Sequence, residues 1–357
     1  MLTGTEPPVR GVRVHQHVRR RSRRRRIPAV TGGVLVFALL VAGLAASASH
    51  FIAVDLGQPA GTPRFGAAAV TTVLCGLLAH RVGGHTIAAC GFAAFVSAGA
   101  VVAGWGWLLA GVAALTAFAA AVLAVLATVP ARQPRRVLRE YAVAVVVALA
   151  GAVAVAAYGA PVDPAMLERV VLLCSLLATL WVAHRLGGGF AGAGSRGALV
   201  VLLAVATLVA GLAYGEAVRR WGSPGLMHSV EAARQATTAV LGAVPRPVEV
   251  LLGFPALVWG LATRSRLRQG WWVCAFGSLG TAGVTTSLAT SSAASGMATE
   301  PAQALLSTLY SVLLGLVVGL VVWRVDRLLT GPRGRRARGA ERALPPRPEP
   351  SRGRPLL

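Results

Sequence analysis

Long apolar runs separated by short polar segments dominate the hydrophobic pattern of this 357-residue chain. A helix needs about 20 apolar residues to cross a bilayer, so the pattern predicts about ten membrane-spanning helices, with an error of about two. Two of them, starting at Phe65 and Val248, are near 16 residues long, so either they extend further or one is re-entrant. The ten predicted spans are 29–48, 65–80, 86–104, 108–129, 141–158, 165–183, 198–214, 248–263, 271–290 and 304–323.

The composition favours spanning helices over strands. Hydrophobic residues make up 55% of the chain, charged residues only 13%, and the mean hydropathy is +0.66. A transmembrane β-barrel would alternate lipid-facing and lumen-facing residues over ~10-residue segments. The runs here are longer and rich in Ala, Leu, Val and Gly, so the sequence predicts an all-α, polytopic transmembrane helix bundle.

Polar, arginine-rich segments flank the predicted bundle. We predict a basic disordered tail over 1–26, a transmembrane helical domain over 27–323 and a second basic disordered tail over 324–357. Neither tail carries enough apolar surface to fold by itself. The basic run before the first span resembles a secretory signal peptide, but the apolar stretch of about 18 residues exceeds the ~7–15 residues of a cleaved one. We therefore expect an uncleaved first helix.

The arginines predict the topology. All 35 basic residues are Arg, and with the N-terminus inside, 29 of them fall in predicted inner segments and six in outer ones. Positive residues concentrate on the cytoplasmic side of membrane proteins, so both termini are predicted to be cytoplasmic. An Arg-only, Ala- and Gly-rich chain is typical of a high-GC genome, and we expect a multi-pass protein of a bacterial-type plasma membrane.

The formal net charge of +23 bears on partners. In a membrane protein such charge meets anionic lipid headgroups, so membrane lipids are the expected partners of the Arg-rich tails and nucleic acid is not. A homo-oligomer or an envelope protein partner is a further expectation.

The longest predicted outer loop spans 215–247. Its residues divide into an apolar and a polar face at helical spacing, which predicts an amphipathic helix on the outer surface. This helix would serve as a connector, or as a lid or partner-binding element. The apolar face comprises Leu226, Val230, Ala233, Val240, Leu241 and Val244, and the polar face comprises Glu231, Arg234, Gln235 and Thr238.

Small residues recur along the last two predicted spans. In the last span they fall every four residues and form one stripe, and in the ninth they are mixed with hydroxyls. The pattern predicts either close helix packing or a hydroxyl-lined path or dimer face. The residues concerned are Ser307, Ser311, Gly315 and Gly319 in the last span, and Ser278, Thr281 and Thr285 in the ninth.

A short internal echo links the second and sixth predicted spans. His80-Arg81 and His184-Arg185 each lie within a similar hexapeptide at a predicted cytoplasmic helix end, 104 residues apart. The echo indicates either a parallel repeat of two four-helix units or a coincidence in a biased composition.

Few residues of the predicted spans could take part in ion coupling or catalysis. No Asp, Glu or Arg lies at the centre of a predicted span, and acids such as Glu140 and Glu249 are placed at or beyond helix ends. This disfavours a carrier of the usual carboxylate-coupled type, but not one that uses carbonyls or hydroxyls.

Motifs of catalysis and ligation are missing as well. No GxSxG, P-loop or HExxH occurs, so we predict no catalytic, cofactor or metal site. A metal or haem held by His80, His85 and His184 near the inner interface is the alternative. The four cysteines are expected to be free thiols.

Size, predicted span number and predicted cytoplasmic termini resemble, in outline, the drug/metabolite transporter superfamily. That superfamily is built of two inverted five-helix halves, whereas the echo here would be parallel. The many predicted helices and abundant Gly favour a transporter or flippase-like permease for a small or amphiphilic molecule. The alternative is a non-catalytic membrane subunit that scaffolds a cell-envelope complex, and an enzyme is the least favoured class.

Overall fold

Helices account for nearly all of the structure. A computed structural model describes residues 26–51, 61–186, 224–264, 270–289, 301–329 and 349–357, with seven separate residues between 202 and 221. No strand occurs in these parts of the chain, so the predicted all-α class is confirmed.

Eleven α-helices are numbered here in chain order within the described residues. Seven of them, α1–α6 and α11, are long and apolar enough to cross a membrane, which makes the chain an integral membrane protein. The helices are α1 (Arg26–Ala48), α2 (Thr62–Val82), α3 (Thr86–Ala103), α4 (Gly106–Leu126), α5 (Pro134–Ala157), α6 (Pro164–Leu186), α7 (Pro224–Leu241), α8 (Phe254–Arg264), α9 (Gly270–Ala275), α10 (Gly277–Ser287) and α11 (Pro301–Leu329).

The eighth and ninth predicted spans are helical but interrupted. A π-helical turn, Glu249–Gly253, precedes α8, and the helix over the ninth span is divided at Phe276 into α9 and α10. Neither stretch is a single long helix like the seven others. Most of the predicted span 198–214 lies outside the described residues, so a total of ten spans stays a prediction.

Local sequence explains several helix ends. Proline stands in the first turn of α2 and α5, where its missing N–H costs nothing. Gly83 and Gly104 follow α2 and α3 with φ of +83° and +67°, the left-handed conformation that ends a helix and that favours glycine.

The core is centred on α10. All of its residues are buried, and it packs against α4, α5 and α6. The α8 helix packs against α9, α10 and α11, while α1 and α3 lie at the side of α2. Large apolar side chains on α3, such as Phe92 and Phe95, point away from the bundle, as expected for a surface that faces lipid.

The ends of the helices define two faces of the bundle. We call the face where α2, α4, α6 and α8 end the tail face, because residues 349–357 lie against it. We call the other face, which holds the α7 end at Leu241 and the start of α6, the loop face. Arginine distribution predicts that the tail face is cytoplasmic.

The second predicted tail differs from its expected disorder at both ends. The α11 helix continues through 324–329, and residues 349–357, called here the tail segment, contact the bundle. The rest of that tail, and nearly all of the first tail, 1–26, lie outside the described residues.

Candidate functional site

A buried carboxylate lies in the interrupted helix at the loop face. Glu249 is the first residue of the π-helical turn and is 3% exposed. At 1.5 Å per residue, it lies about 22 Å along the helix from Arg264, which is at the tail face. The carboxylate is therefore inside the bundle but nearer the loop face.

The guanidinium of Arg246 joins this carboxylate to two neighbouring groups. Its Nη1 lies 3.3 Å from Oε1 of Glu249, 4.0 Å from Oε1 of Glu168 and 2.9 Å from the carbonyl oxygen of Gly283, to which it donates. The Arg246 backbone N–H donates to the Ser311 hydroxyl at 2.8 Å. Arg246 thus contacts Glu168, Gly283 and Ser311, which come from three other parts of the chain, as well as Glu249.

Two acids share this one arginine. Glu168 and Glu249 carry two negative formal charges against the single positive charge of Arg246, which leaves an excess of one negative charge. The second oxygen of Glu249, Oε2, is buried and has no hydrogen-bond partner among the described residues. A buried acceptor without a partner is costly, so the arrangement is suited to hold a proton or a small cation.

The sequence places Glu249 at a helix end, and the structure agrees. Its burial is the feature that the hydrophobic pattern does not predict. The available signal is the Arg246–Glu249 spacing of three, which brings opposite charges together on one helical turn.

The small-residue stripe of α11 lies against the α8 region. Ser307 donates to the carbonyl oxygen of Val244 at 2.6 Å, and Ser311 accepts from Arg246 as described above. A methyl group added at Gly315 would lie 2.6 Å from Cβ of Phe254, and one at Gly319 would lie 2.8 Å from Cβ of Val258. These contacts favour the close-packing interpretation of the stripe.

The hydroxyls predicted on the ninth span are buried in α10. Thr281 donates to the carbonyl oxygen of Ala121 in α4 at 2.9 Å, and Ser278 accepts from Thr179 in α6 at 3.1 Å. Thr285 donates to the carbonyl oxygen of Ala282 within its own helix at 2.8 Å. Two of the three hydroxyls therefore fasten α10 to its neighbours.

A further hydroxyl cluster, which the sequence analysis missed, joins three helices on the α2 side of the core. Oγ1 of Thr71 in α2 lies 2.7 Å from Oγ1 of Thr116 in α4 and 2.8 Å from the Tyr158 hydroxyl at the end of α5. All three side chains are buried. Isolated Thr and Tyr residues in apolar runs gave no signal of this contact.

The two copies of the internal echo both lie at the tail face. The ends of α2 and α6 both contribute apolar residues to one buried cluster that also includes Leu356. Arg81 is buried and His80 is exposed, and both contact the tail segment. Whether the echo reflects a parallel repeat stays a prediction.

The second copy has different surroundings. His184 packs edge-on against Trp272, with ring centroids 6.1 Å apart. Arg185 is exposed, and its guanidinium lies 5.3 Å from the centroid of the Trp181 ring. These two residues therefore lie against tryptophan rings, whereas His80 and Arg81 of the first copy contact the tail segment.

The tail segment holds the most extensive set of charged contacts in the described part of the chain. Arg264 bonds Glu349, and Arg352 pairs with Glu140, whose Oε2 also accepts the backbone N–H of Val129 at 2.9 Å. Glu140, expected at a helix end, lies within α5 and is 1% exposed.

The predicted outer helix is present as α7. The side chains of its second half, 231–241, are exposed or half-buried, and Val240 is 83% exposed. A contact to the bundle occurs at its end, where the Tyr310 hydroxyl donates to the carbonyl oxygen of Leu241 at 2.9 Å. The side chain of Leu226, predicted on the apolar face, lies outside what is described.

All four cysteines are free thiols. No group of three or more His, Cys, Asp or Glu side chains suited to a metal ion occurs among the described residues. The chain matches no protein-family model, no curated protein and no solved structure.

Proposed function

We propose that this protein is a transporter, a permease or flippase for a small or amphiphilic molecule, in which Glu249 is a residue of the transport path. The observation that carries the proposal is the buried Glu249 carboxylate in an interrupted helix. An ionisable group inside a membrane bundle is expensive and is typical of a functional site.

The interrupted helices support the same proposal. Here α8 follows a π-helical turn, and α10 follows the break at Phe276. π-Helical turns are frequent at functional sites.

Localisation and topology belong to this proposal. The arginine distribution supports a plasma-membrane protein whose tail face is cytoplasmic, with the Arg-rich tails near anionic headgroups of the inner leaflet. Glu249 would then lie closer to the outer face, where a substrate entering or leaving the cell would meet it.

The test is uptake by proteoliposomes. Purified full-length protein is reconstituted and incubated with a soluble metabolite extract of its expression host, and the liposome contents are identified by mass spectrometry. Transport of a lipid is tested in parallel with a fluorescent phospholipid analogue that dithionite bleaches in the outer leaflet.

We expect wild type to accumulate or flip a defined compound, and Glu249→Gln to reduce the rate at least tenfold. The matched control is Glu231→Gln, an exposed acid on α7, which should leave the rate unchanged. Failure of wild type to exceed empty liposomes in both assays would contradict transport. Equal rates for wild type and Glu249→Gln would remove Glu249 from the path.

One observation favours the alternative, a non-catalytic subunit that scaffolds an envelope complex. The second half of α7 is largely exposed apart from the contact of Leu241 with Tyr310, and Val240 is exposed on a helix of amphipathic pattern. Affinity purification from the native membrane tests this hypothesis. A stoichiometric partner that is lost in Val240→Asp, but retained in Glu231→Gln, would make the scaffold the leading function.

A further inference from the structure

We propose that Arg81 and Arg264 form an anion-binding site at the tail face, which Glu349 of the tail segment fills in this structure. A free phosphate or carboxylate group would compete with Glu349 and displace the tail segment. The proposal does not depend on transport, because it concerns the opposite face from Glu249.

Arg264 has the geometry of a built anion site. Its side chain is fully buried, and its Nε and Nη2 lie 3.5 Å and 2.7 Å from the two carboxylate oxygens of Glu349. In this contact two nitrogens of one guanidinium face two oxygens of one carboxylate. Arginine binds phosphate in the same bidentate way.

Neighbouring groups hold this guanidinium in place. Nη1 donates to the Thr128 hydroxyl at 2.9 Å, and the guanidinium carbon lies 3.6 Å from the centroid of the Trp271 ring. Such a cation–π contact favours the charged group without neutralising it. The remaining need for an anion is met by Glu349.

Arg81 supplies a second positive charge. Its Nε donates to the carbonyl oxygen of Leu126 at 2.8 Å, and its Nη1 donates to the carbonyl oxygens of Ser351 and Arg354 at 3.0 Å and 2.7 Å. Its Nη2 is buried with no hydrogen-bond partner among the described residues. Among the described residues, Arg81 therefore has neutral hydrogen-bond acceptors only, and the two N–H groups of Nη2 are left over.

If the tail segment left, Glu140 and the two arginines would lose different shares of their charge compensation. Glu140 would keep Arg139, at 3.0 Å, if the tail segment left, although it would lose Arg352. Arg81 and Arg264, by contrast, would have no carboxylate in ion-pair contact among the described residues. Leaving buried charges uncompensated is unfavourable, so the vacated site would attract an anion.

Displacement would also uncover apolar surface. Leu356 of the tail segment packs on the buried cluster formed by the ends of α2, α4 and α6 together with α9, and its N–H donates to the Arg81 carbonyl oxygen at 2.8 Å. An anion that takes the place of Glu349 therefore competes with a segment that closes this face of the bundle.

The first experiment measures anion binding by full-length protein in phosphatidylcholine nanodiscs. The midpoint of thermal unfolding is followed against inorganic phosphate, with sodium chloride at matched ionic strength to control for screening. Glu349→Gln should respond to phosphate at least tenfold more tightly than wild type, because the competing carboxylate is gone. Arg264→Gln combined with Glu349→Gln should not respond.

Arg354→Gln is the matched control, because only the backbone carbonyl of Arg354 contacts Arg81 and its residue is exposed. It should respond like wild type. A second series replaces phosphate with phosphatidylglycerol in the nanodisc. Stabilisation by phosphate identifies a soluble anion, and stabilisation by phosphatidylglycerol alone identifies a lipid headgroup.

The second experiment follows the tail segment directly and does not need a destabilised variant. The Nε2 atom of His80 lies 3.3 Å from the carbonyl oxygen of Gly353, so a short bifunctional maleimide should cross-link His80→Cys to Gly353→Cys once the four native cysteines are replaced by Ala. Phosphate or phosphatidylglycerol should lower the cross-linked fraction at least threefold. The proposal is wrong if neither anion lowers it, or if Glu349→Gln responds no more than the double variant.

Discussion

Gly253 lies against Gly280, backbone against backbone, where the π-helical turn before α8 meets α10. A methyl group at Gly253 would overlap the backbone nitrogen and Cα of Gly280, neither of which can move without shifting a buried helix. The contact brings the turn that carries Glu249 into the centre of the bundle. It therefore links the position of the buried carboxylate to two glycines.

Replacing Gly253 by Ala should be strongly destabilising. Because the clash is with backbone, we expect a loss of about 3 kcal/mol, the upper end of the usual cost of overpacking. Gly91→Ala is the control, since nothing lies within 4 Å of its added methyl group. It should change stability by less than about 0.5 kcal/mol. Unfolding of both variants in detergent checks the difference, and equal losses would contradict the close contact.

Thr71 and Thr72 provide a second matched pair. Thr71→Val removes the hydroxyl that links Thr116 and Tyr158, and we expect a loss of about 1–3 kcal/mol because buried hydroxyls lose a partner. Among the described residues, the Thr72 hydroxyl donates only to the carbonyl oxygen of Ala68 in its own helix. Thr72→Val should cost under about 0.5 kcal/mol. Thermal unfolding in detergent measures both, and a smaller effect at Thr71 would rule out the network as a stabilising contact.

At the loop face, replacing the shared Arg246 should destabilise the protein more than replacing Glu249. Arg246→Gln leaves the buried Glu249 carboxylate without its cation and should cost about 3 kcal/mol. Glu249→Gln should cost under about 1 kcal/mol, because Arg246 retains the Gly283 carbonyl oxygen and Glu168. Chemical denaturation compares the single variants with the double variant. The double variant should be more stable than Arg246→Gln, and the reverse order would show that Glu249 is not a buried charge.

The topology predicted from arginine can be tested by thiol labelling. In a protein whose native cysteines are replaced, Ser229→Cys on α7 should react with a membrane-impermeant maleimide in intact cells. Gly353→Cys on the tail face should react only after lysis. The opposite result would place the tail face outside. Both positions are exposed, so reactivity reports the side of the membrane.

The apolar runs predict the ends of a helix closely where the helix ends at the edge of the hydrocarbon layer of the membrane. The predicted span 86–104 corresponds closely to Thr86–Ala103, and 108–129 to Gly106–Leu126. The predicted span 141–158 corresponds to Pro134–Ala157, which starts seven residues earlier. Helical hydrogen bonds continue through the polar turn that includes Arg139 and Glu140, whereas the hydropathy pattern reports only the part suited to lipid.

The candidate sites depend on contacts that no local pattern contains. Arg264 and Glu349 are separated by 85 residues, and Thr71 and Tyr158 by 87. The break at Phe276 lies in an apolar stretch that reads as one span. The sequence therefore supplied the candidate hydroxyls and small residues, but not the burial of Glu249 or the docking of the tail segment.

The small side chains of α10 determine how the helix is held in position along its axis. Nine of its eleven residues are Gly, Ala, Ser or Thr, so its surface has few side chains that interlock with neighbouring helices. Its register along its own axis is set by directional bonds, from Thr281 to Ala121, from Thr179 to Ser278 and from Arg246 to Gly283, together with the close contact between Gly280 and Gly253. Sliding α10 along its axis therefore requires all three hydrogen bonds to break and the two glycines to separate.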